Sequence, residues 1–115
     1  MAVVEYLEQQ GIPLEKALTY AVKQEKTDFF WANPKVEYLN QDWNIILNNN
    51  VSHELILLRI PANSVKLITS KGNGSGVFAR ADRPNKLDLN INIDTLVDRK
   101  SGYNFSKYVI KKISY

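Results

Sequence analysis

His53, Glu54 and Arg59 set a base, an acid and a cation in close succession. Metal-independent cleavage of RNA needs those three: proton transfer in both directions and a cation to stabilise the pentacoordinate phosphorane. His53 is the one histidine of the chain, so paired-histidine acid–base catalysis and multi-histidine metal sites are excluded. The chain has no cysteine, which removes thiolate zinc sites, cysteine nucleophiles and disulfides. No Gly-x-Ser-x-Gly elbow presents a serine to the histidine. A lone histidine in a turn before a strand is ordinarily just solvated, and the reading as a catalytic group stands as the alternative.

A second set of residues is basic and aromatic. Net charge is +3, but it is unevenly spread. Residues 1–58 hold four lysines against eight carboxylates, and residues 59–115 hold eleven cations against four aspartates. Such a split predicts a basic face for a polyanion, unless the two halves intermix in space. Within the basic half, Arg80, Arg83, Lys86, Lys107, Lys111 and Lys112 are the expected phosphate contacts, with Tyr103 and Tyr108 as stacking rings. Interleaved cations and aromatics suit single-stranded RNA or DNA, where charge meets phosphates and π-faces meet bases. The competing reading of "SKYVIKKISY" is a last strand whose lysines guard an exposed edge. The acidic half, with Glu5, Glu8, Glu15 and Glu25, is a candidate surface for a protein partner.

The stretch "KGNGSG", residues 71–76, has glycine at every second place. It lacks the spacing of a Walker loop, and no helix comes after it whose N-terminus would face a phosphate. Between two strand-like flanks it reads as a hairpin tip. "LDLNINID" then alternates strictly, with Leu87, Leu89, Ile91 and Ile93 on one face and Asp88, Asn90, Asn92 and Asp94 on the other. That is a half-buried strand. Its polar row spaces ligands about 7 Å apart along a line, whereas a metal gathers them around a point, so no metal is expected. Asp82 and Asp98 bracket the strand and leave a carboxylate cluster open. No cofactor is expected either.

These residues need elements to hold them. Val3, Val4 and Leu7 ahead of Gly11 predict a first helix. Pro13 suits the start of a second, in which Leu14, Ala17, Leu18, Ala21 and Val22 form an amphipathic stripe that ends near Lys26. "TDFFWANPKV" is a breaker-rich connection in which Phe29, Phe30 and Trp31 pin the helices to the rest of the chain, or else present a platform for bases or sugars. From Val36 the helical period disappears, and "VEYLN", "WNIILNN" and "ELILLRI" read as strands, the last ended by Pro61. Further strands are expected at "SVKLITS", "GVFARA", "LDLNINI" and the C-terminus.

The expectation is therefore one α+β domain over residues 1–115: two N-terminal helices (1–26) packed on a mostly antiparallel meandering β-sheet (36–115). At 44% hydrophobic and 23% charged the chain falls in the globular range. The acidic N-terminus is unlike a signal peptide, and no apolar run approaches the roughly 18 residues of a membrane span, so a soluble cytoplasmic protein without a membrane partner is expected. Helices followed by an antiparallel sheet resemble the general layout of barnase, colicin and RelE-type ribonucleases. That likeness implies an RNA-cleaving alternative using His53, Glu54 and Arg59. The economical expectation is a small non-catalytic binding domain that engages nucleic acid or another polyanion through its C-terminal half.

Overall fold

Trp43–Asn49 and Glu54–Ile60 are the two strands around which everything else is arranged, and they pair as an antiparallel hairpin from Trp43↔Ile60 to Asn49↔Glu54. The computed structural model describes residues 17–23, 26–69 and 74–115. In chain order its strands are β1 (Leu18–Val22), β2 (Phe29–Ala32), β3 (Trp43–Asn49), β4 (Glu54–Ile60), β5 (Lys66–Leu67), β6 (Gly76–Val77), β7 (Leu89–Asn92) and β8 (Val109–Ser114). Four of them form one sheet in the order β1-β3-β4-β8, and β2 with β7, and β5 with β6, form two ribbons.

The central hairpin is buried on both faces because apolar residues fill successive positions at 45–47 and 55–58. Trp43, Ile45 and Leu47 join Ile56, Leu58 and Ile60 in the main core, and Ile46, Leu55 and Leu57 form a smaller cluster on the opposite face with Leu18 and Ile113. The reversal at residues 50–53 is held by the Asn49 side-chain oxygen, which accepts the N–H groups of Val51 and Ser52. His53 completes it in the left-handed region at φ 56°, and Pro61 comes directly after the last paired residue.

The expected helical layer is overturned where the chain is described. Among the described residues there is no helix of seven or more residues, and only the 3-10 turns Val36–Asn40 and Ser106–Tyr108 are helical. Leu18–Val22, the heart of the expected second helix, is a strand paired parallel to β3, from Leu18↔Asn44 to Val22↔Asn48. The reason is that its apolar residues satisfy two periods at once. Ala17 and Ala21 enter the main core while Leu18 packs on the far side of the sheet, which is alternation as well as a helical stripe. Thr19, Tyr20 and Val22 favour the extended form, and the open edge of β3 offers it a ladder. The first expected helix lies outside the described residues. The described residues are therefore mostly β, and not two helices packed on a sheet.

Three smaller expectations also change. "VEYLN" is a 3-10 turn with Leu39 buried, anchored by the Val36 N–H donating to the Asn85 carbonyl at 2.9 Å. Phe30 alone of the aromatic triplet is fully buried; it enters the main core of the sheets. The flanks of the glycine stretch pair parallel, Lys66↔Gly76 and Leu67↔Val77, so they are not the two arms of a hairpin. Residues 70–73 lie outside the described residues. Gly76 serves close approach: a Cβ there would sit 2.3 Å from the Lys66 carbonyl oxygen.

β7 keeps the predicted alternation. Leu87, Leu89 and Ile91 are fully buried, and β7 pairs antiparallel with β2 from Phe29↔Asn92 to Ala32↔Leu89. A bridge between Lys23 and Phe30 ties this ribbon to β1. Among the described residues no helix is long and apolar enough to cross a membrane.

Gly76→Ala should lower stability by about 2–3 kcal/mol, read as a drop in the urea midpoint at constant slope. An unchanged midpoint would mean that β5 and β6 do not approach as described.

Candidate functional site

β2 alternates like any strand of a one-sided ribbon, and this decides which aromatic rings meet solvent. Phe30 and Ala32 point into the core, so Phe29 and Trp31 point out. Trp31 is 45% exposed, which is unusual for the side chain with most to gain from burial. Across the ribbon, Asn90 lies opposite Trp31 and Asn92 opposite Phe29. The two rings are thus two residues apart on one face, about 6.6 Å by strand rise.

A cation stands over each ring. The Arg80 guanidinium carbon is 5.6 Å from the centroid of Trp31, and that of Arg99 is 5.1 Å from the centroid of Phe29. Both distances are within the range of a cation–π contact. Beneath them run two adjoining hollows of about 440 and 400 Å³ that share Phe29, Asn90 and Lys100. Together they form one open groove along the outer face of the β2–β7 ribbon.

The loop between β6 and β7 fixes Arg80. The Arg80 N–H donates to the Lys86 carbonyl and the Lys86 N–H to that of Arg83, both at 2.9 Å. The Leu87 N–H then donates to the Pro34 carbonyl at 2.7 Å, and Asn33 Nδ2 to the Leu87 carbonyl at 2.9 Å. The other wall is the turn after β7, built on Asp98. Its carboxylate is completely buried and accepts the Asn90 N–H at 2.8 Å, the Ser101 hydroxyl at 2.5 Å and the Ser101 N–H at 3.2 Å. The Arg99 N–H donates to the Asn90 carbonyl at 2.8 Å. These bonds set Arg99 and Lys100 over the groove.

The groove is charged but balanced. Arg80 grips Asp82 with two bonds of 2.9 Å, Arg99 pairs with Asp28 at 3.3 Å, and Lys100 pairs with Asp88. The hydrogen bond from Arg80 holds the Asp82 carboxyl below its ordinary range, and the same bond raises Arg80. Such exposed pairs add little to stability; their effect is orientation. Asn90 Nδ2 is enclosed and has no hydrogen-bond partner. Among the described residues no three His, Asp or Glu side chains converge as a metal site requires: Asp82 faces Arg80, while Asp98 turns inward.

The other predicted residues lie elsewhere. His53 sits at the tip of the β3–β4 hairpin, edge-on to Tyr115 at 5.4 Å. Glu54 opens β4 opposite Asn49, while Arg59 lies opposite Asn44 near the other end. Glu54 and Arg59 are five positions apart on one strand, so they face opposite sides of the sheet, about 16 Å apart; the three do not converge. Arg83 and Lys86 belong to the loop that carries Arg80, and neither makes an ion pair among the described residues. Tyr103 is buried and bonded hydroxyl to hydroxyl with Tyr108 at 2.5 Å. Burial first, and then that bond, push its phenol well above the ordinary range. Lys107 lies over both rings, at 5.2 and 5.3 Å, and Tyr103 offers no free face because it is buried. Lys111 and Lys112 are exposed on β8, at the edge of the four-stranded sheet rather than on the ribbon.

Phe29, Trp31 and Asn90 are the groove residues that charge counting does not select, while Arg99 and Lys100 are among the eleven cations of the basic half but not among the expected phosphate contacts. The useful sign is "FFW", in which only the outer pair of an alternating triplet can be presented together. No known protein family, curated protein or solved structure matches this chain.

Asp98→Ala leaves the Asn90 and Ser101 donors without their acceptor. It should cost about 3 kcal/mol, measured by chemical denaturation, with Asp98→Asn costing less. Wild-type stability in both variants would show that the turn stands without this carboxylate.

Proposed function

We propose that the chain is a non-catalytic binding module for single-stranded nucleic acid, with bases stacked on Trp31 and Phe29 and phosphates met by Arg80, Arg99 and Lys100. One observation carries this reading: two outward rings of one strand, each with a guanidinium over it. Their separation of about 6.6 Å is roughly twice the 3.4 Å step of stacked bases, so each ring meets a separate base of an unstacked strand. Rings that accept any base, with cations alongside, give binding that tolerates many sequences.

The carboxylates in the groove moderate this. Arg80, Arg99 and Lys100 already have anionic partners, so a phosphate must take the place of an aspartate and releases few counterions there. Arg83 and Lys86, on the adjoining loop, supply the cations with no ion pair among the described residues. The same balance favours a second reading, an uncharged oligosaccharide whose ring packs on Trp31 while Asp88, Asn90 and Arg80 bond its hydroxyls.

Fluorescence separates these. Trp43 is fully buried, so quenching on titration reports Trp31. A ten-nucleotide oligo(U) or oligo(dT) should quench it, and Trp31→Ala should weaken binding measured by anisotropy about tenfold, within the ~1–3 kcal/mol of one stacked base. The slope of log K against log salt should be shallow, about −1.4, as two released counterions give on a single strand. Quenching by oligosaccharides without salt dependence would select the second reading. Unchanged affinity in Trp31→Ala would sink both.

A further inference from the structure

The edge of the four-stranded sheet formed by β8 is separate from the groove and has its own chemistry. β8 pairs with β4 on one side only, and no described strand covers the other. Its backbone can be assigned residue by residue. The Tyr115 N–H donates to the His53 carbonyl at 2.8 Å, and in an antiparallel pair alternate residues turn both polar groups toward the same neighbour. Tyr115, Ile113 and Lys111 therefore face β4, and Ser114 and Lys112 direct N–H and C=O outward. Ile110 is the extra residue where the register shifts opposite Leu57 and Leu58, and it is 53% exposed.

An open ladder is a template for any extended chain, so side-chain charge decides which one. Lys107, Lys111 and Lys112 are all exposed, and residues 99–115 contain no carboxylate side chain. A second copy pairing edge to edge would bring lysine against lysine, which is unfavourable across a ladder. An acidic strand meets the opposite sign at each of these positions.

We infer that the outer edge of β8 docks an extended acidic segment of another protein, added as a fifth strand. Backbone bonds at Lys112 and Ser114 supply the affinity, Lys111 and Lys112 select acidic side chains, and Ile110 gives an apolar contact at the bulge. The surface works without the groove.

The test uses the full chain and a labelled ten-residue peptide of repeated Glu-Glu-Val, which presents glutamate on both faces of a strand, with repeated Lys-Lys-Val as control. Anisotropy should show binding of the first at least about tenfold tighter than the second. At saturation, amide exchange at Lys112 and Ser114 should slow while Lys111 and Ile113 stay unchanged. Lys112→Pro removes an outward N–H that β4 does not use; it should abolish binding, and a melting temperature within a few degrees of wild type would show the fold intact. Should that variant unfold, Lys111→Glu with Lys112→Glu should instead switch the preference to the lysine peptide. Trp31→Ala should bind the glutamate peptide like wild type. Equal binding of the two peptides, unchanged exchange at Lys112 and Ser114, or dimerisation through β8 in sedimentation velocity would each overturn the inference.

Discussion

The buried carboxylate of Asp98 is the constraint on which the ribbon depends. A carboxylate out of water is costly unless donors surround it, and here the donors come from β7 and from the turn after it. The Asp98 N–H in turn donates to the Tyr103 carbonyl, and the Gly102 N–H to the Asp98 carbonyl, both at 2.8 Å. A single residue, through its carboxylate and its backbone, thus ties β7 to the path of residues 99–102 and to the start of the Tyr103–Tyr108 cluster. Arg99 and Lys100 ride on that turn. Their place over the groove comes from the burial of Asp98, not from the weak surface pairs they make with Asp28 and Asp88.

The sheet supplies a different kind of order. β3 and β4 are apolar on both faces, so each must be covered twice, and the molecule has two hydrophobic clusters in consequence. The β2–β7 ribbon is apolar on one face only. Its inner residues, Phe30, Ala32, Leu89 and Ile91, join the main core, and its outer residues are left to meet solvent. A rigid inner face behind an exposed aromatic face is what a recognition surface needs: the rings are held without being covered.

Much of the β architecture is legible in the residues themselves. "WNIILNN" and "ELILLRI" have the right length and β-branched content, Asn49 marks the reversal, and Pro61 marks the stop. "LDLNINI" announces its buried and wet faces through period two alone. The N-terminal elements are not legible in this way, because Ala17, Leu18, Ala21 and Val22 fit both a helical stripe and a strand. Only the empty edge of β3, a tertiary fact, decides between them. The parallel pairing of β5 with β6 is hidden for a similar reason: glycine permits both a tight turn and a close approach, and only the position of the Lys66 carbonyl identifies the second. Charge counting points to Arg80, Arg83 and Lys86 but not to the rings beside Arg80, since which of Phe29, Phe30 and Trp31 faces out depends on the partner strand. Asp98 reads in sequence as one acid among several; nothing local shows that it turns inward.

The strand order β1-β3-β4-β8 sets the history of the molecule as well as its shape. Only the central pair is joined by a short reversal, so only it can form early and cheaply, within microseconds. β1 and β8 come from distant parts of the chain and attach to opposite margins, and β2 must find β7 across most of the sequence between them. Loop closure has to precede these contacts before any of them is rewarded. Collapse onto the β3–β4 hairpin should accordingly be fast, and completion of the ribbon, and with it the aromatic groove, later and slower.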